Sequence, residues 1–269
     1  RALASAWSTS SFFSPRRGKR ISTLRSFLAE SACAKRSCSA TACETSTSGG
    51  HVRYDFTRPL AKPEHLLDLE LGAHYTTSTA RVSATLYWME FMDELVKSGQ
   101  VDIFGQPVTG NARRTRHMGI ELDGAVTPLP GLTLGGNISV SRNRLVSYHS
   151  FLPDGSGSTL DGNPIAGFPD VLGNLRLTYR SESLTASLLG KYIGAFHTDN
   201  FNNESNTTDA YTLFNLDLLY ALPRIIDVGI SLRGEIWNIF NTLYLASGEG
   251  NSFFPGAERS YVLGMTMNL

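Results

Sequence analysis

Six histidines are the side chains of this sequence best suited to acid–base catalysis or metal binding. They are scattered singly along the chain, at His51, His65, His74, His117, His149 and His197. His149 stands between Ser147 and Ser150, so an imidazole and a hydroxyl occur close in sequence, as nucleophilic hydrolysis requires. Neither serine lies in a Gly-x-Ser-x-Gly turn. This spacing is typical of chance neighbours at a strand end, so we expect no catalytic residue and a protein that is not an enzyme.

Two other groups of residues carry the atoms of a metal site. Cys33, Cys38 and Cys43 are spaced five residues apart, whereas zinc sites use Cys-x-x-Cys pairs and nearby histidines. The Asp, Asn and Glu residues of the stretch 199–204 have oxygen atoms suited to Ca²⁺. The same composition is more typical of a solvated loop. We therefore predict no metal and no cofactor.

The composition restricts how this chain of 269 residues can meet a membrane. It has no net charge, 41% hydrophobic residues, 25 glycines and many aromatic residues. No stretch of about 18 uncharged apolar residues occurs, which excludes a transmembrane helix. Membrane-spanning strands stay compatible with the sequence, because their residues alternate and never build a long apolar run.

The first fifty residues differ in chemistry from the rest. They carry eight basic and two acidic residues, against 16 basic and 22 acidic residues in 51–269. They are rich in Ser, Ala, Thr and Arg without a sustained period, so they bury too little apolar surface to offset the entropy of ordering. We predict a disordered, basic segment over residues 1–55. Two origins stay open: an organellar transit peptide, and a stretch that is not native sequence, which the abrupt break at Gly49-Gly50 favours.

Period-2 alternation recurs from Leu66 onward and predicts nine β-strands. They cover residues 66–77, 80–96, 115–127, 132–148, 171–181, 184–197, 211–222, 227–240 and 258–268. In the fifth strand, for example, Leu175 and Leu177 share one face while Arg176 and Thr178 share the other. One face therefore suits hydrocarbon and the other suits water.

The connections between these strands alternate in length. The short turns lie at residues 78–79, 128–131, 181–182 and 223–226. The long connections lie at residues 97–114, 150–170, 198–210 and 241–257. An outer-membrane barrel has short periplasmic turns and long outward loops, whereas a Greek-key sandwich has no reason to alternate in this way. The pattern predicts an all-β fold, namely an antiparallel up-and-down transmembrane β-barrel.

Four short motifs carry a family resemblance. The stretch Trp237-Asn238-Ile239-Phe240-Asn241-Thr242-Leu243-Tyr244 is followed by Pro255-Gly256-Ala257-Glu258-Arg259 before the last strand. Upstream, Lys62-Pro63-Glu64 precedes the first strand, and Gly119-Ile120-Glu121-Leu122-Asp123 lies in the third. In this order the motifs resemble those of TonB-dependent receptors. The family-motif residues are Asn238, Phe240, Asn241, Tyr244, Pro255, Gly256 and Arg259.

The resemblance implies a larger protein than this chain. Family members have a plug domain and about 22 strands. With about nine strands predicted, residues 56–269 would be the C-terminal part of such a barrel, without the plug and the N-terminal strands. Leu269 stands where the family usually ends in Phe, which departs from its pattern for barrel insertion.

The resemblance also implies a function. The complete protein would be a receptor in the outer membrane of a Gram-negative type bacterium, taking up a scarce solute such as an iron–siderophore complex. Its partners would be outer-membrane lipid, a TonB complex acting through the missing plug region, and a small solute such as a metal chelate, with no nucleic acid. The candidate ligand-binding residues in the lumen or loops are Arg176, Lys191, Arg233 and Glu235. The alternative is that these residues only keep the barrel interior wet or contact a plug. An outer-membrane barrel hydrolase and a soluble all-β binding module stay open as other functions.

Overall fold

A computed structural model describes the backbone of residues 20–21, 25–30, 42–48, 51–59, 61–101, 106–151, 157–223 and 229–268. Side chains are described within residues 61–99, 106–150, 157–223 and 229–268. In these ranges the chain is almost entirely β-strand, with one 3-10 turn at Glu204–Asn206. Among the described residues, no helix has the length and apolar character needed to cross a membrane.

The strands follow one another along the whole described chain. In order they are β1 (Arg20–Ile21), β2 (Arg25–Glu30), β3 (Ala42–Ser48), β4 (His51–Pro59), β5 (His65–Thr76), β6 (Ala80–Val101), β7 (Pro107–Leu129), β8 (Leu132–Ser147), β9 (His149–Phe151), β10 (Gly157–Thr159), β11 (Val171–Arg180), β12 (Leu184–Ile193), β13 (Phe196–His197), β14 (Thr207–Thr208), β15 (Tyr211–Ala221), β16 (Gly229–Trp237), β17 (Leu245–Glu249), β18 (Ser252–Pro255) and β19 (Ser260–Asn268).

Nine of these strands form one continuous antiparallel sheet, in the order β5-β6-β7-β8-β11-β12-β15-β16-β19. Each long strand pairs with the long strand that follows it in the chain, which is the up-and-down connectivity. The short strands β1 and β2 pair along the other edge of β5. Each of the nine predicted strands overlaps one of these nine, so the predicted all-β antiparallel fold is confirmed.

The N-terminal segment predicted for residues 1–55 falls largely outside the described residues. Within it the described backbone includes β1, β2, β3 and part of β4, and β3 forms a hairpin with β4. The proposed boundary at residue 56 stays a prediction.

Strict alternation gives the nine-stranded sheet two chemically different faces. In the register of β8, β11 and β12, Leu177 lies between Leu134 and Leu188, and the next residue, Thr178, lies beside Ser187. We call the first side the apolar face. In β5, β11 and β19 it carries the odd-numbered residues. In the other six strands it carries the even-numbered residues, which holds up to residue 92 in β6 and from residue 114 in β7. We call the other side the polar face.

The apolar face is not covered by another layer of the described chain. Leu175 is 52% exposed and Leu263 is 89% exposed. Full burial of one such side chain stabilises a soluble protein by about 1.5–3 kcal/mol, so a water-soluble fold covers a row of them. An uncovered face of this kind opposes the interpretation as a soluble all-β module.

The buried apolar core lies instead at the end of the sheet that carries the long connections. It consists of Val96, Ala112, Leu145, Tyr148, Leu160 and Ile165. Three of the long connections also contain short hairpins, namely β9 with β10, β13 with β14 and β17 with β18. The connections are therefore folded and packed together above the sheet.

The long connection predicted at residues 97–114 is wrong. β6 continues to Val101 and β7 begins at Pro107, so both strands extend well into this range. Lys97 pairs with Thr109 across the two strands.

A local irregularity explains why this extension is hidden in the sequence. Asp93 has a φ of +57°, in the left-handed region. Met92 on one side of it is 53% exposed, whereas Val96, also even-numbered, is 3% exposed. The side chains beyond Asp93 therefore change faces while the two strands stay in register, with Glu94 opposite Ala112, so the period-2 pattern breaks although the strand continues.

Candidate functional site

All four candidate ligand-binding residues lie on the polar face. They are Arg176, Lys191, Arg233 and Glu235. Arg233 is paired within the wall, because its guanidinium lies 2.8 Å from the carboxylate of Asp217 and 2.8 Å from that of Glu235. Trp237 donates its indole N–H to Glu235 at 2.7 Å. The charge of Arg233 is therefore balanced by one carboxylate of its own strand and one of β15.

A cavity of about 670 Å³ opens on the polar face, near the short turns. Arg176 lines it together with Arg180 of the same strand and Asp217 of β15. Hydroxyl groups complete the wall, and those of Thr178 and Ser187 lie 3.0 Å apart. Guanidinium, carboxylate and hydroxyl groups in one concave site can bind an anionic or polyhydroxylated solute.

Of the four candidates, Arg176 alone lines this cavity. Lys191 lies four residues along β12 from Ser187, which is roughly 13 Å at the usual rise of a strand. Lys191 therefore stands apart from the cavity that Arg176 lines. Arg180 and Asp217 were not among the predicted site residues, although the alternation that selected Arg176 also points them to the polar face.

Charge is divided between the two halves of the polar face. Asp68 and Glu70 of β5 lie on the same side as Glu121 and Asp123 of β7, with β6 between them. The basic residues of the polar face are concentrated instead on β11 and β12. One part of the polar face therefore carries mainly acidic side chains, and another part carries mainly basic ones.

His117 belongs to a buried polar cluster at the junction of β6, β7 and β8. Its Nδ1 lies 2.9 Å from the side-chain oxygen of Asn143, and its Nε2 lies 3.0 Å from the carboxylate of Glu94. Thr115 donates to the same carboxylate, and the ring of Phe168 packs 5.1 Å from the imidazole. Because both ring nitrogens are engaged and closed off from solvent, this histidine joins strands and is not placed for catalysis.

The stretch considered for Ca²⁺ forms internal hydrogen bonds. One carboxylate oxygen of Asp199 accepts from the backbone N–H of Phe201 at 2.9 Å, and the other accepts from the side chain of Asn206. The carboxylate that a cation would need is thus already bound within the loop. Among the described residues, no group of three or more His, Cys, Asp or Glu side chains is arranged to hold a metal ion.

Asn200 connects three separate parts of the long connections. It is fully buried, accepts from the backbone N–H of Ala166 at 2.8 Å, and donates to the backbone carbonyl of Lys97. Lys97 in turn forms an ion pair with the buried Glu249 at 3.0 Å. These bonds hold the tip of β6 against the connections after β8, β12 and β16.

His149 and Ser150 of the hydrolase hypothesis lie in a small hairpin, in which His149 is exposed and Ser150 is buried. His149 Nδ1 is 3.3 Å from the hydroxyl of Thr159, across β9 and β10. Ser150 is the next residue of the strand, so its side chain projects to the other side of the hairpin. Adjacent residues of a strand do not converge, which opposes a catalytic pair here.

The family-motif residues meet in one tight structure between β16 and β19. Asn238 is buried and has a φ of +51°. Its Nδ2 donates to the carbonyls of Thr242 (3.0 Å) and Ala257 (3.1 Å), and its Oδ1 accepts from the N–H of Thr242 (2.8 Å). Asn241, with a φ of +50°, accepts from the N–H of Arg259 at 2.8 Å. The two asparagines thus join the beginning of this connection to its end.

Aromatic packing completes this closure. Gly256 lies directly against the ring of Tyr244, and a Cβ at Gly256 would be 1.9 Å from Tyr244 Cζ. Tyr244 packs on Tyr211 with 4.6 Å between ring centroids, and Phe240 meets Phe214 edge-on at 5.5 Å. The motif residues therefore have a structural role that the spacing alone did not reveal.

A family model described as TonB dependent receptor-like, beta-barrel matches residues 37–239, about three-quarters of the chain. The chain belongs to this family. The match confirms the predicted TonB-dependent receptor relationship, and it is to a receptor family and not to a family of enzymes. It begins inside the segment predicted for residues 1–55 and ends within the Asn238–Tyr244 turn.

Solved receptor structures share the fold of this TonB-dependent receptor chain. The siderophore receptor from Acinetobacter baumannii is 18% identical, with a TM-score of 0.61 over 76% of this chain and 28% of that one. The ferric-catecholate import receptor from K12 E. coli is 19% identical, with a TM-score of 0.56 over 82% and 29%. The ferric yersiniabactin uptake receptor from Yersinia pestis is 17% identical, with a TM-score of 0.57 over 83% and 32%.

The chain spans about 30% of the length of these receptor structures. No curated protein sequence matches it significantly. The likeness shows a shared sheet architecture over the part that is covered.

Proposed function

We propose that this chain forms part of the wall of an outer-membrane barrel in a Gram-negative bacterium, and that the complete receptor takes up a scarce solute. An iron–siderophore complex or a similar metal chelate is the proposed solute, and a TonB complex is the proposed source of energy. The observation that supports this most strongly is the contrast between the two faces of the nine-stranded sheet.

Lipid is the environment that accounts for the apolar face. Its rows of Leu, Ile, Val and aromatic side chains lie uncovered while the polar face carries the charges. A transmembrane barrel has this arrangement, because hydrocarbon surrounds its outside and water fills its interior. Trp88 and Tyr179 stand near the ends of the apolar rows, where aromatic rings suit the boundary between hydrocarbon and water.

The polar face is the proposed route and binding wall for the solute. Arg176 and Lys191 are both exposed. Among the described residues, no carboxylate forms an ion pair with either cation, whereas Arg233 is paired with two. Arg176 and Lys191 are therefore better suited to an anionic chelate, and Arg233 and Glu235 to holding the wall together. Two of the similar structures are a ferric-catecholate import receptor and a ferric yersiniabactin uptake receptor, which supports a ferric chelate as the solute class.

The proposed uptake needs an energy source, because scavenging a dilute solute requires tight binding. A receptor that captures a dilute solute binds it too tightly for rapid spontaneous release. A conformational change driven from outside must therefore favour the state that releases it. We place the TonB contact in a plug region that is not part of this chain.

The isolated chain is proposed to transport nothing. Among the described strands, β19 pairs with β16 alone, so its other edge has no partner. Each unsatisfied backbone group in lipid costs several kcal/mol, about as much as in an apolar solvent. An open sheet of nine strands would therefore pair its free edge with other chains and enclose no pore.

An uptake assay on a hybrid receptor tests the proposal. Residues 61–268 would replace the corresponding wall of a ferric siderophore receptor that retains its own plug, in cells that lack other receptors for that chelate. We expect iron uptake that is lost when TonB is deleted. Uptake that continues at the same rate without TonB would show a passive pore and contradict the proposal.

The binding role of the polar face has its own matched pair of variants. In the hybrid receptor, Arg176→Gln removes a cation from the cavity, and we expect roughly tenfold weaker binding of the ferric chelate, from the loss of one charge-assisted contact. Arg81→Gln removes a polar-face cation at the start of β6, away from the cavity, and should leave binding unchanged. Equal effects of the two substitutions would assign Arg176 to general wetting of the interior.

A further inference from the structure

Charged residues on the apolar face are confined to one place. Among the described residues of its rows, the charged side chains are Glu90, Arg114, Arg116, Arg142 and Arg144. All other strands present Leu, Ile, Val, Ala, Gly, Thr, Met or aromatic residues in these rows. We call the four arginines the arginine patch. They occur as two Arg-x-Arg pairs, one on β7 and one on β8.

The register brings the two pairs together at the edge of the apolar rows. Arg116 lies directly opposite Arg144, and Arg142 lies opposite Met118. The next row towards the short turns is the apolar pair Ile120 and Val140. The arginine patch therefore lies immediately beyond the apolar belt, on the side of the long connections.

Trp88 marks this level on the neighbouring strand. It lies opposite Met118 in the register, is 42% exposed, and has the guanidinium of Arg116 at 5.4 Å from its ring. Tryptophan is enriched where hydrocarbon meets the polar headgroups of a membrane. The arginine patch is thus at headgroup level in the proposed membrane arrangement.

Positive charge in the patch exceeds the negative charge beside it. Glu90 binds Arg114 at 2.7 Å and also pairs with Arg116, and Asp170 lies 3.8 Å from Arg144. Arg142 is exposed, and among the described residues no acidic side chain pairs with it. Like charges opposite one another on adjacent strands are unfavourable, so the Arg116–Arg144 pair is stable only with anions close by.

There is also room beside the guanidinium groups. A cavity of about 340 Å³ is lined by Arg142 and Arg144 together with Asn163, Asp170 and His197 from the long connections, so two guanidinium groups face it against one carboxylate. Guanidinium groups bind phosphate oxygens through paired, charge-assisted hydrogen bonds. Side-chain amide and imidazole groups can add further bonds to the same oxygens.

We propose that the arginine patch binds the phosphate of a lipid headgroup in the leaflet next to the long connections. Three observations select a lipid over other anions: the patch belongs to the lipid-facing rows, it adjoins the apolar belt, and it lies beside an interfacial tryptophan. This inference rests on the membrane arrangement proposed above. It adds a specific lipid site to a wall whose other strands offer only apolar contact.

The test uses quenching of Trp88 by lipids with brominated acyl chains. In the full chain, Trp7 and Trp237 are replaced by Phe, so that Trp88 is the only indole. The chain is reconstituted in phosphatidylcholine bilayers that contain a minor fraction of brominated phosphatidic acid or, in parallel, brominated phosphatidylcholine. We expect phosphatidic acid to be enriched around Trp88 by roughly tenfold over its bulk fraction, as two cations at an anionic headgroup predict.

Substitutions in the arginine patch test whether its guanidinium groups cause the enrichment of phosphatidic acid. Arg142→Gln with Arg144→Gln should abolish the enrichment, whereas Arg142→Lys with Arg144→Lys should retain part of it, because charge is kept while paired hydrogen bonding is lost. Arg81→Gln lies on the polar face and should leave the enrichment unchanged. If the Gln variant fails to fold, the Lys variant still decides between paired hydrogen bonding and mere attraction.

Three further outcomes would each overturn part or all of this proposal. No enrichment of phosphatidic acid in the unsubstituted chain would overturn the lipid site. Complete displacement of phosphatidic acid by inorganic phosphate in the buffer would make the patch a site for free anions and overturn the choice of lipid. If no brominated lipid quenches Trp88 at all, the chain is not in the bilayer, and the proposed function fails with this inference.

Discussion

Removing the side chain of Asn238 should destabilise the closure between β16 and β19 far more than removing that of Asn241. Both residues have a left-handed backbone, with φ of +51° and +50°. Glycine tolerates this conformation, so replacing either asparagine by Gly introduces no backbone strain. The comparison of Asn238→Gly with Asn241→Gly therefore isolates the side-chain hydrogen bonds.

The magnitude follows from the hydrogen bonds that are lost. The Asn238 side chain makes three, two to Thr242 and one to Ala257, in a buried position. Asn241 makes one, to the N–H of Arg259, in an exposed position. At a net value of about 1 kcal/mol per bond, Asn238→Gly should cost about 3 kcal/mol and Asn241→Gly about 1 kcal/mol.

Urea unfolding of the chain in neutral detergent micelles measures the difference. The fluorescence of Trp237, adjacent to Asn238, reports the local transition, and the free energy of unfolding falls linearly with urea. We expect Asn238→Gly to lose about 2 kcal/mol more than Asn241→Gly. Equal losses from the two variants would refute the reasoning that buried hydrogen bonds of Asn238 hold this closure.

Three further predictions concern the ends of the sheet. Gly256→Ala should be strongly destabilising because its Cβ would overlap the ring of Tyr244, and in a double-mutant cycle it should cost much less when Tyr244 is already Ala. Asn200→Ala should cost about 2–3 kcal/mol, since it leaves a buried N–H of Ala166 and carbonyl of Lys97 without partners, and proteolysis of the long connections should become faster while the nine-stranded sheet stays protected. Burial raises the pKa of the Tyr148 hydroxyl above its usual value near 10, so this residue contributes stability below about pH 10 that is lost as pH rises through the folded-state pKa. From pH 9 to 12 the free energy of unfolding, measured in urea, should therefore fall more steeply for the unsubstituted chain than for Tyr148→Phe. If it falls in parallel for the two chains, Tyr148 does not contribute this pH dependence.

Alternation was sufficient to predict the nine strands and their faces. A strand in an antiparallel sheet with one polar side repeats every two residues, so Leu175 and Arg176 reveal their opposite environments from sequence alone. The same rule failed at Asp93, whose left-handed backbone reverses the faces of β6. A search for period 2 ends at such a point, although the hydrogen-bonded ladder continues to Val101.

Contacts between distant parts of the chain could not be predicted in this way. Arg233 pairs with Asp217 of the neighbouring strand, because the turn between β15 and β16 places Asp217 opposite Glu235. The length of that turn decides the register of the two strands. Asn200 contacts Ala166 and Lys97 only because folded connections pack over one another. The spacing of the family motif reveals the family, but its role as a hydrogen-bonded closure depends on contacts that only the folded chain brings together.

Accessibility of two neighbouring residues tests the central claim, that one face of the sheet meets lipid and the other meets water. Leu175→Cys and Arg176→Cys would be made in the full chain with Cys33, Cys38 and Cys43 replaced by Ser, and each variant would be placed in a lipid bilayer. A membrane-impermeant maleimide should label Cys at residue 176 readily and Cys at residue 175 only after the bilayer is dissolved. Equal labelling of both residues in the intact bilayer, or faster labelling at residue 175, would contradict the account.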